Sequence, residues 1–530
     1  MPILQGAHAI GQWLHRPFGL VFAGGLLAFA GAWPSEIGMQ RGATCWPLLL
    51  IVFCLLVWQW EGAHGPAMAF RRGGVFATAW LAATFWWLFI AMHVYGGTSV
   101  PLALAAVCAL AAVLAVYYGL AAYLYKLLQP RTVGAKATLL ATVWTLAELC
   151  RSLLLTGFGW GAIGYGLVDS PLAILYPYVG VFGVGALAAW LCAYTTLSFR
   201  TQPWRAVVGP LTVLILALLP VSDFTRSNGS IPVVLLQGNI PQDEKFQSGS
   251  GVPLALAWYQ AAWQRQTSAL FVAPETAIPL LPQDLPPGYW SNIKARFAKP
   301  DAALLTGVPL ATTQGGYING VVGFHGPQGE PYAYAKHHLV PFGEFIPPLF
   351  KWFTQLMQIP LGDFERGTLS QKSFEWNGQR LAPTICYEDL YGDELASRFH
   401  DEDSAPTVLV NLSNLGWFGD TVVIAQHLQI SKVRALEFQR PFIRATNTGS
   451  TSILNYRGEI VGALAPFTRD ILEGRVEGRL GRTPYSRWLA WAGFAPYWLL
   501  CVLVLAIAAV SRQRSATHQN QNLASGPAAP

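Results

Sequence analysis

The chain has 530 residues, of which 53% are hydrophobic and only 12% charged, and it carries a net charge of +6. Soluble domains hold about twice that charged fraction, so a wholly soluble protein is excluded. Nucleic-acid binding is not expected either, because much of the Lys and Arg of the first part lies in short loops between apolar runs and forms no basic face interleaved with aromatics.

A bilayer core takes roughly 20 apolar residues in helix. Runs of that kind lie near 17–33, 45–60, 73–95, 100–125, 137–158, 176–198, 204–222 and 488–510, which predicts eight spans, the second the shortest. The first run has no small-residue cleavage site after a short apolar core, so it reads as a retained span. Up to residue 222 the only acidic residues are Glu36, Glu61, Glu148 and Asp169. With the N-terminus inside, Arg16, Arg71, Arg72, Lys126, Arg131, Lys136, Arg200, Arg205, Arg512 and Arg514 fall on the cytoplasmic side. On the opposite side Arg41 is the only basic residue of the first loop, nothing basic stands around 96–99, and the loop after Phe158 holds Asp169. This positive-inside pattern puts residues 223–487 outside and both termini in the cytoplasm. The expected organisation is a seven-span bundle over 1–222, a soluble domain over 223–487, a last span over 488–510 and a disordered polar tail over 511–530.

Within the fifth run, Glu148 and Arg151 stand three residues apart, so on a helix they share a face and can pair. Ionisable residues in spans are functional candidates, and a structural ion pair is the plainer reading. The segment Gly157-Phe158-Gly159-Trp160-Gly161 follows, either as a lipid-facing entrance or as an interfacial turn.

From residue 231 onward the text alternates β-branched runs with helical stretches. Strands are predicted at 231–236, 269–273, 303–308, 320–325, 381–386, 407–412, 442–446 and 451–456, and helices at 253–266, 290–298 and 421–438. Asn377-Gly378 and Arg457-Gly458 mark turns between hairpin-like strands. An α/β domain with layered sheets is implied. Gln237-Gly238-Asn239 ends the first strand without GxGxxG spacing, so no nucleotide cofactor is expected.

Six of the seven cysteines lie in or beside apolar runs, where free Cys behaves as a small hydrophobe. Cys386 is alone in the soluble domain, without a disulfide partner or a metal-type Cys/His spacing. It stands at a strand end in Ile385-Cys386-Tyr387-Glu388. Glu275 stands at another strand end in Pro274-Glu275-Thr276, and Lys336 in Tyr334-Ala335-Lys336-His337-His338. A partly desolvated carboxylate can take a thiol proton, and an ammonium can stabilise the oxyanion of acyl transfer. Each residue alone is weak evidence, since a lone Cys is more often filler and a Lys beside two His is usually on the surface. Together they supply base, stabiliser and nucleophile, with no metal or other cofactor required.

These motifs resemble the nitrilase superfamily: Pro-Glu-Thr, then Tyr-x-Lys-x-x-Leu-Val-Pro-Phe-Gly-Glu ending at Glu344, then Ile-Cys-Tyr-Glu. Together with the apolar frame, with Gln237-Gly238-Asn239-Ile240-Pro241-Gln242, Trp417-Phe418-Gly419-Asp420 and the run from Arg434 to Asn447, the chain resembles the apolipoprotein N-acyltransferase family. The resemblance implies an αββα sandwich on a helical membrane bundle in the bacterial inner membrane, with the sandwich in the periplasm. It implies Glu275 as general base, Lys336 as oxyanion stabiliser and Cys386 as nucleophile. Glu344 would orient Lys336 or assist proton transfer, while Tyr387 and Glu388 would line the site, the Tyr387 N–H serving as an oxyanion donor. Trp417 and Phe418 would pack at the pocket. Phe246 stands where the family often has a lid tryptophan, and Leu415 where a more polar residue is expected.

The reaction so implied is ping-pong. Cys386 takes an acyl chain from a phospholipid, phosphatidylethanolamine being the expected donor, and passes it to the α-amine of a diacylated apolipoprotein. A monomer is expected. Two rivals stay open: a membrane-tethered amidase acting on a small amide, and a transporter or non-catalytic assembly factor. The spans show no chain of intramembrane acids or paired broken helices, against a transporter, and the complete Glu-Lys-Cys set argues against a degenerate domain.

Overall fold

The central strands of the soluble part carry apolar residues at successive positions, so both of their faces need cover, and the chain supplies it with a second sheet on one side and helices on the other. The computed structural model describes residues 17–265, 267–312, 315–327, 331–346 and 364–524.

The first part is helical: α1 (Pro17–Gly31), α2 (Trp46–Glu61), α3 (Pro66–Thr84), α4 (Val100–Leu128), α5 (Val133–Leu153), α6 (Tyr176–Thr201) and α7 (Val208–Leu218). Among the described residues, four helices are long and apolar enough to cross a membrane, or five if α3 and the segment Leu88–Tyr95, bent by 62° to it, count as one span. Three shorter apolar helices are α1, α2 and the stretch Pro203–Leu218. Large apolar side chains such as Leu104, Val113, Leu214 and Leu218 stand exposed on α4 and α7, as lipid-facing surfaces do and soluble surfaces rarely do.

The sandwich follows: β1 (Arg226–Gln237), α8 (Gly251–Trp263), β2 (Leu270–Val272), α9 (Tyr289–Phe297), β3 (Ala303–Ala311), β4 (Tyr317–Phe324), β5 (Tyr332–Ala335), β6 (Phe374–Trp376), β7 (Gln379–Ile385), β8 (Val408–Ser413), α10 (Val423–Phe438), β9 (Phe442–Thr446), β10 (Ser452–Leu454), β11 (Ile460–Ala463) and β12 (Asp470–Leu480). The helices α11 (Pro484–Ala492) and α12 (Ala495–Ala524) close the described chain. One sheet runs β12-β1-β2-β3-β4-β5 and the other β11-β10-β9-β8-β7-β6, with parallel pairing β1–β2–β3 and β7–β8–β9 at the centres. Alternation sorts the side chains: Val233, Leu235, Leu270, Leu305, Leu381, Val410 and Ile443 fill the space between the sheets. Val234, Leu236, Phe271 and Leu304 face α8 and α9. On the far side, Ala382, Leu409 and Phe442 join α10 and the helical bundle in one continuous apolar cluster, so α10 is wedged between sheet and bundle.

The eight predicted strands and three predicted helices of this part are all present. Strands β5, β6, β11 and β12 were not expected. In β12 charged residues alternate with others, because it is an edge strand with one face toward solvent. Two other expectations are corrected. The tail from 511 is helical as far as Ala524, a continuation that its Ala, Gln and Arg favour; residues 525–530 lie outside the described residues. Glu148 and Arg151 share the buried face of α5 but are not a salt bridge among the described residues. Glu148 Oε1 accepts from the Ile163 N–H at 2.8 Å. Arg151 donates to Phe158 O at 2.6 Å, Trp160 O at 2.8 Å and the Tyr118 hydroxyl at 3.0 Å. The 157–163 loop lacks regular hydrogen bonding in apolar surroundings, so both charged groups serve its backbone.

Candidate active site

Three strand ends converge on one point. Glu275 follows β2, where its loop lies so close to β3 that only glycine fits opposite: a Cβ on Gly307 would sit 2.5 Å from Pro274 O. Lys336 follows β5, its N–H donating to Asn319 O on β4 at 2.9 Å. Cys386 follows β7 and opens the short 3₁₀ turn Cys386–Leu390. Its φ of +56° is rare for a residue with a Cβ and persists only where the surroundings fix it. Here the Cys386 carbonyl accepts from Asn411 Nδ2 at 2.7 Å and faces His427 Nε2 at 3.2 Å.

The ammonium of Lys336 is buried between two carboxylates, 2.9 Å from Glu344 Oε1 and 3.5 Å from Glu275 Oε1. Asn319 Nδ2 donates to both of those oxygens at 2.7 Å. The second oxygen of Glu344 accepts from the Val340 N–H at 2.8 Å, and the second of Glu275 from the Asn414 N–H at 3.0 Å. Burial pulls the Lys336 ammonium down, but Glu344 and Glu275 more than reverse this and hold it well above the usual lysine range, with Cys386 contributing. Burial pushes the Cys386 thiol up strongly, the negative charge of Glu275 adds to that, and Lys336 opposes it. The resting site therefore holds a protonated thiol and a charged lysine. A thiol in that state becomes a nucleophile when its proton moves to an adjacent base.

The remaining predicted residues divide. Tyr387 is buried, its hydroxyl donating to Leu339 O at 2.6 Å and its ring 5.7 Å from Lys336 Nζ. Glu388 does not face open space. It accepts four hydrogen bonds, from the N–H groups of Ile385 (2.6 Å), His337 (2.6 Å) and His338 (3.1 Å) and from the Tyr334 hydroxyl (2.9 Å). Its place is behind the site, holding two motifs together, rather than lining it. Phe246 is 57% exposed on the loop after β1, and Trp417 is 41% exposed. Trp417 packs edge-on against Tyr95 and Phe418 against Trp87, with centroids 5.6 and 4.7 Å apart. That seats their loop on the bent membrane segment.

Sequence reasoning missed Asn319, Lys245, Asn411, Asp389 and His427. Lys245, beside Phe246, is buried with its ammonium 3.1 Å from Glu275 O. Gln242 on the same loop accepts from Asn414 Nδ2 at 2.7 Å, so the loop is fastened on both sides of Glu275. Asp389, His427 and Arg444 form a buried charged cluster under the turn. For Asn319, Asn411 and His427 the signal available was a polar residue inside a strand or helix, which sequence alone could not tell from a solvated face; Lys245 and Asp389 lie in a loop and a turn, where charged residues are ordinary. No group of three or more His, Cys, Asp or Glu suited to a metal occurs among the described residues.

Comparison with known proteins agrees with this division of the chain. Residues 23–194 match the family described as apolipoprotein N-acyltransferase N-terminal domain, and residues 233–485 match carbon-nitrogen hydrolase. The chain is 49% identical over 500 residues to the apolipoprotein N-acyltransferase of Verminephrobacter eiseniae, covering 89% of this chain and 92% of the relative. It is 42% identical to that of Ralstonia nicotianae, with 84% and 85% covered, and 37% identical to that of Neisseria meningitidis serogroup A, with 91% and 94% covered.

Proposed function

The chain belongs to the apolipoprotein N-acyltransferase family, and we propose that within it Cys386 is the residue that carries the acyl group. The enzyme is a membrane acyltransferase that N-acylates apolipoproteins, its chemistry residing in a nitrilase-like sandwich. Glu275 takes the thiol proton, Cys386 attacks the acyl ester of a phospholipid, and the lysophospholipid leaves as its alcohol with that proton. The α-amine of the diacylated lipoprotein then opens the thioester, forming the amide as the Cys386 sulfur departs; the amine's proton passes through Glu275 to that sulfur, which restores the thiol and the free carboxylate. Lys336 and the Tyr387 N–H stabilise the oxyanion of each tetrahedral intermediate. Phosphatidylethanolamine is the proposed donor and the monomer the proposed working unit.

The observation that carries this reading is the shared position of Lys336 between Glu275 and Glu344 beside Cys386. It would leave a cation in place while the base gains and loses a proton. The small-amide hydrolase differs in needing no lipid. Purified enzyme incubated with labelled phosphatidylethanolamine should yield an acyl adduct on the Cys386 peptide by mass spectrometry, and diacylated lipopeptide should discharge it. Conversion of diacylated to triacylated lipopeptide by Cys386→Ser would overturn the assignment, and turnover of soluble amides without lipid would favour the hydrolase.

Eight spans, with the sandwich in the periplasm and both termini in the cytoplasm of an inner-membrane protein, complete the proposal. The broken pair and the shorter apolar helices supply the spans beyond the four long ones. Charge supports the sidedness: Arg72, Lys126 and Lys136 bind Gln59 and Glu61 at one end of α2. The Arg41 and Asp169 loops instead reach the sandwich, pairing with Asp420 and Lys432. A periplasmic reporter fused at Ser227 should be active, and activity of a cytoplasmic reporter there would reverse the orientation.

A further inference from the structure

The nucleophile turn is tied to the bent membrane segment through two successive residues of α10. Successive helix side chains point about 100° apart, so neighbours on one helix can serve opposite partners. Gln426 faces the bundle. Its amide oxygen accepts from the indole N–H of Trp87 at 3.0 Å and of Trp160 at 2.9 Å, and its Nε2 donates to Thr84 O at 3.3 Å. Those three partners are the end of α3, the segment just after its bend and the loop served by Arg151. His427 faces the sheet. Arg444 Nη2 lies 2.9 Å from its Nδ1, and a guanidinium only donates, so Nδ1 is the acceptor and Nε2 carries the proton. That Nε2 lies 3.0 Å from Asp389 Oδ1 and 3.2 Å from Cys386 O. The Trp160 ring packs on His427 with centroids 5.7 Å apart, which joins the two halves side by side.

We propose that Gln426 and His427 are positioning residues through which the bent membrane segment sets the geometry of the Cys386 turn. The proposal rests on Cys386 being the acyl carrier. The same bend holds Phe418 through Trp87, so the membrane segment fixes both the loop beside the site and the carbonyl of the nucleophile. A sandwich without the bundle would keep the Glu-Lys-Cys residues but lose the outer half of this support.

The test uses full-length enzyme in mixed micelles with fluorescently labelled phosphatidylethanolamine, following single-turnover acylation of Cys386 and alkylation of Cys386 by iodoacetamide. Gln426→Leu should slow acylation about tenfold at saturating donor, with KM changed less than about twofold, because displacement of a reacting group costs rate rather than binding. That variant leaves two indole N–H groups unpaired, so the combined variant Trp87→Phe/Trp160→Phe/Gln426→Leu removes donors and acceptor together. It should unfold close to wild type yet stay about tenfold slow, with iodoacetamide alkylation altered in parallel. Recovery of the wild-type rate in the combined variant would show that Gln426 only satisfies the indoles, and a change confined to KM would also overturn the link. Absence of a Cys386 adduct in the unsubstituted enzyme would remove the nucleophile assignment instead, a result distinguishable because it needs no substitution.

Discussion

The backbone N–H of His337 donates to Glu388 Oε1 at 2.6 Å, which fastens the residue after the lysine to a residue two places after the nucleophile. The other oxygen of Glu388 accepts from Ile385 at 2.6 Å, just before Cys386. One buried carboxylate thus fixes the spacing of two motifs that are 50 residues apart. Only a carboxylate accepts at both oxygens, since an amide turns two of its sites into donors. Glu388→Gln should therefore cost about 1–3 kcal/mol for each N–H or hydroxyl left unpaired, and should slow acylation even where the protein stays folded. Thermal unfolding in detergent and single-turnover acylation measure the two effects; an unchanged melting temperature would contradict the four-bond arrangement.

Asn319 donates one amide to two carboxylates that share a single ammonium. Asn319→Asp would place a third carboxylate there and should reduce acylation on the order of a hundredfold, with Asn319→Ala milder at about tenfold. The readout is the rate of Cys386 adduct formation. Equal effects of the two substitutions would mean that charge at this point is unimportant.

Burial brings the Lys245 ammonium down to about 8 from 10.5, with Glu275 and Cys386 pulling the other way. Between those values the unfolded chain keeps the proton and the folded protein lacks it. More protons are then bound in the unfolded state, so the stability contributed by this residue rises with pH across the window. Relative to Lys245→Met, the native protein should gain at most about 1.4 kcal/mol per pH unit between about pH 8 and 10. Unfolding midpoints at pH 7, 8, 9 and 10 test this, and a pH-independent difference would show that Lys245 stays charged.

Phe246, more than half exposed beside the buried Lys245, can contribute little to folding. Phe246→Ser should change stability by less than about 0.5 kcal/mol while raising KM for phospholipid severalfold, and Phe246→Trp should preserve both. Steady-state kinetics against labelled phosphatidylethanolamine decide it; a Phe246→Ser enzyme with unaltered KM would remove this residue from the lipid path.

Much of this was legible from the chain. Continuous apolar, β-branched runs located the strands that lead into Glu275 and Cys386, because strands buried on both faces are apolar throughout and end abruptly where polar residues begin. The polar, alternating β12 stayed hidden, since an edge strand with one wet face has the composition of a loop. The Glu148–Arg151 expectation was right about the face and wrong about the partner: spacing tells which side chains are neighbours, but not which unsatisfied backbone nearby competes for them.

Cys386 marks where the boundary falls. The sequence by itself determined that the chain has an apolar helical frame, that one thiol stands alone in an α/β domain, and that a Glu and a Lys stand in matching contexts, because these follow from local pattern and residue chemistry. Only the tertiary structure decided that Asn319 joins two carboxylates, that Glu388 stands behind the site and that α10 ties Cys386 to Trp87 and Trp160. Those relations depend on directional hydrogen bonds between segments separated by up to 339 residues, and no periodicity in the chain encodes them.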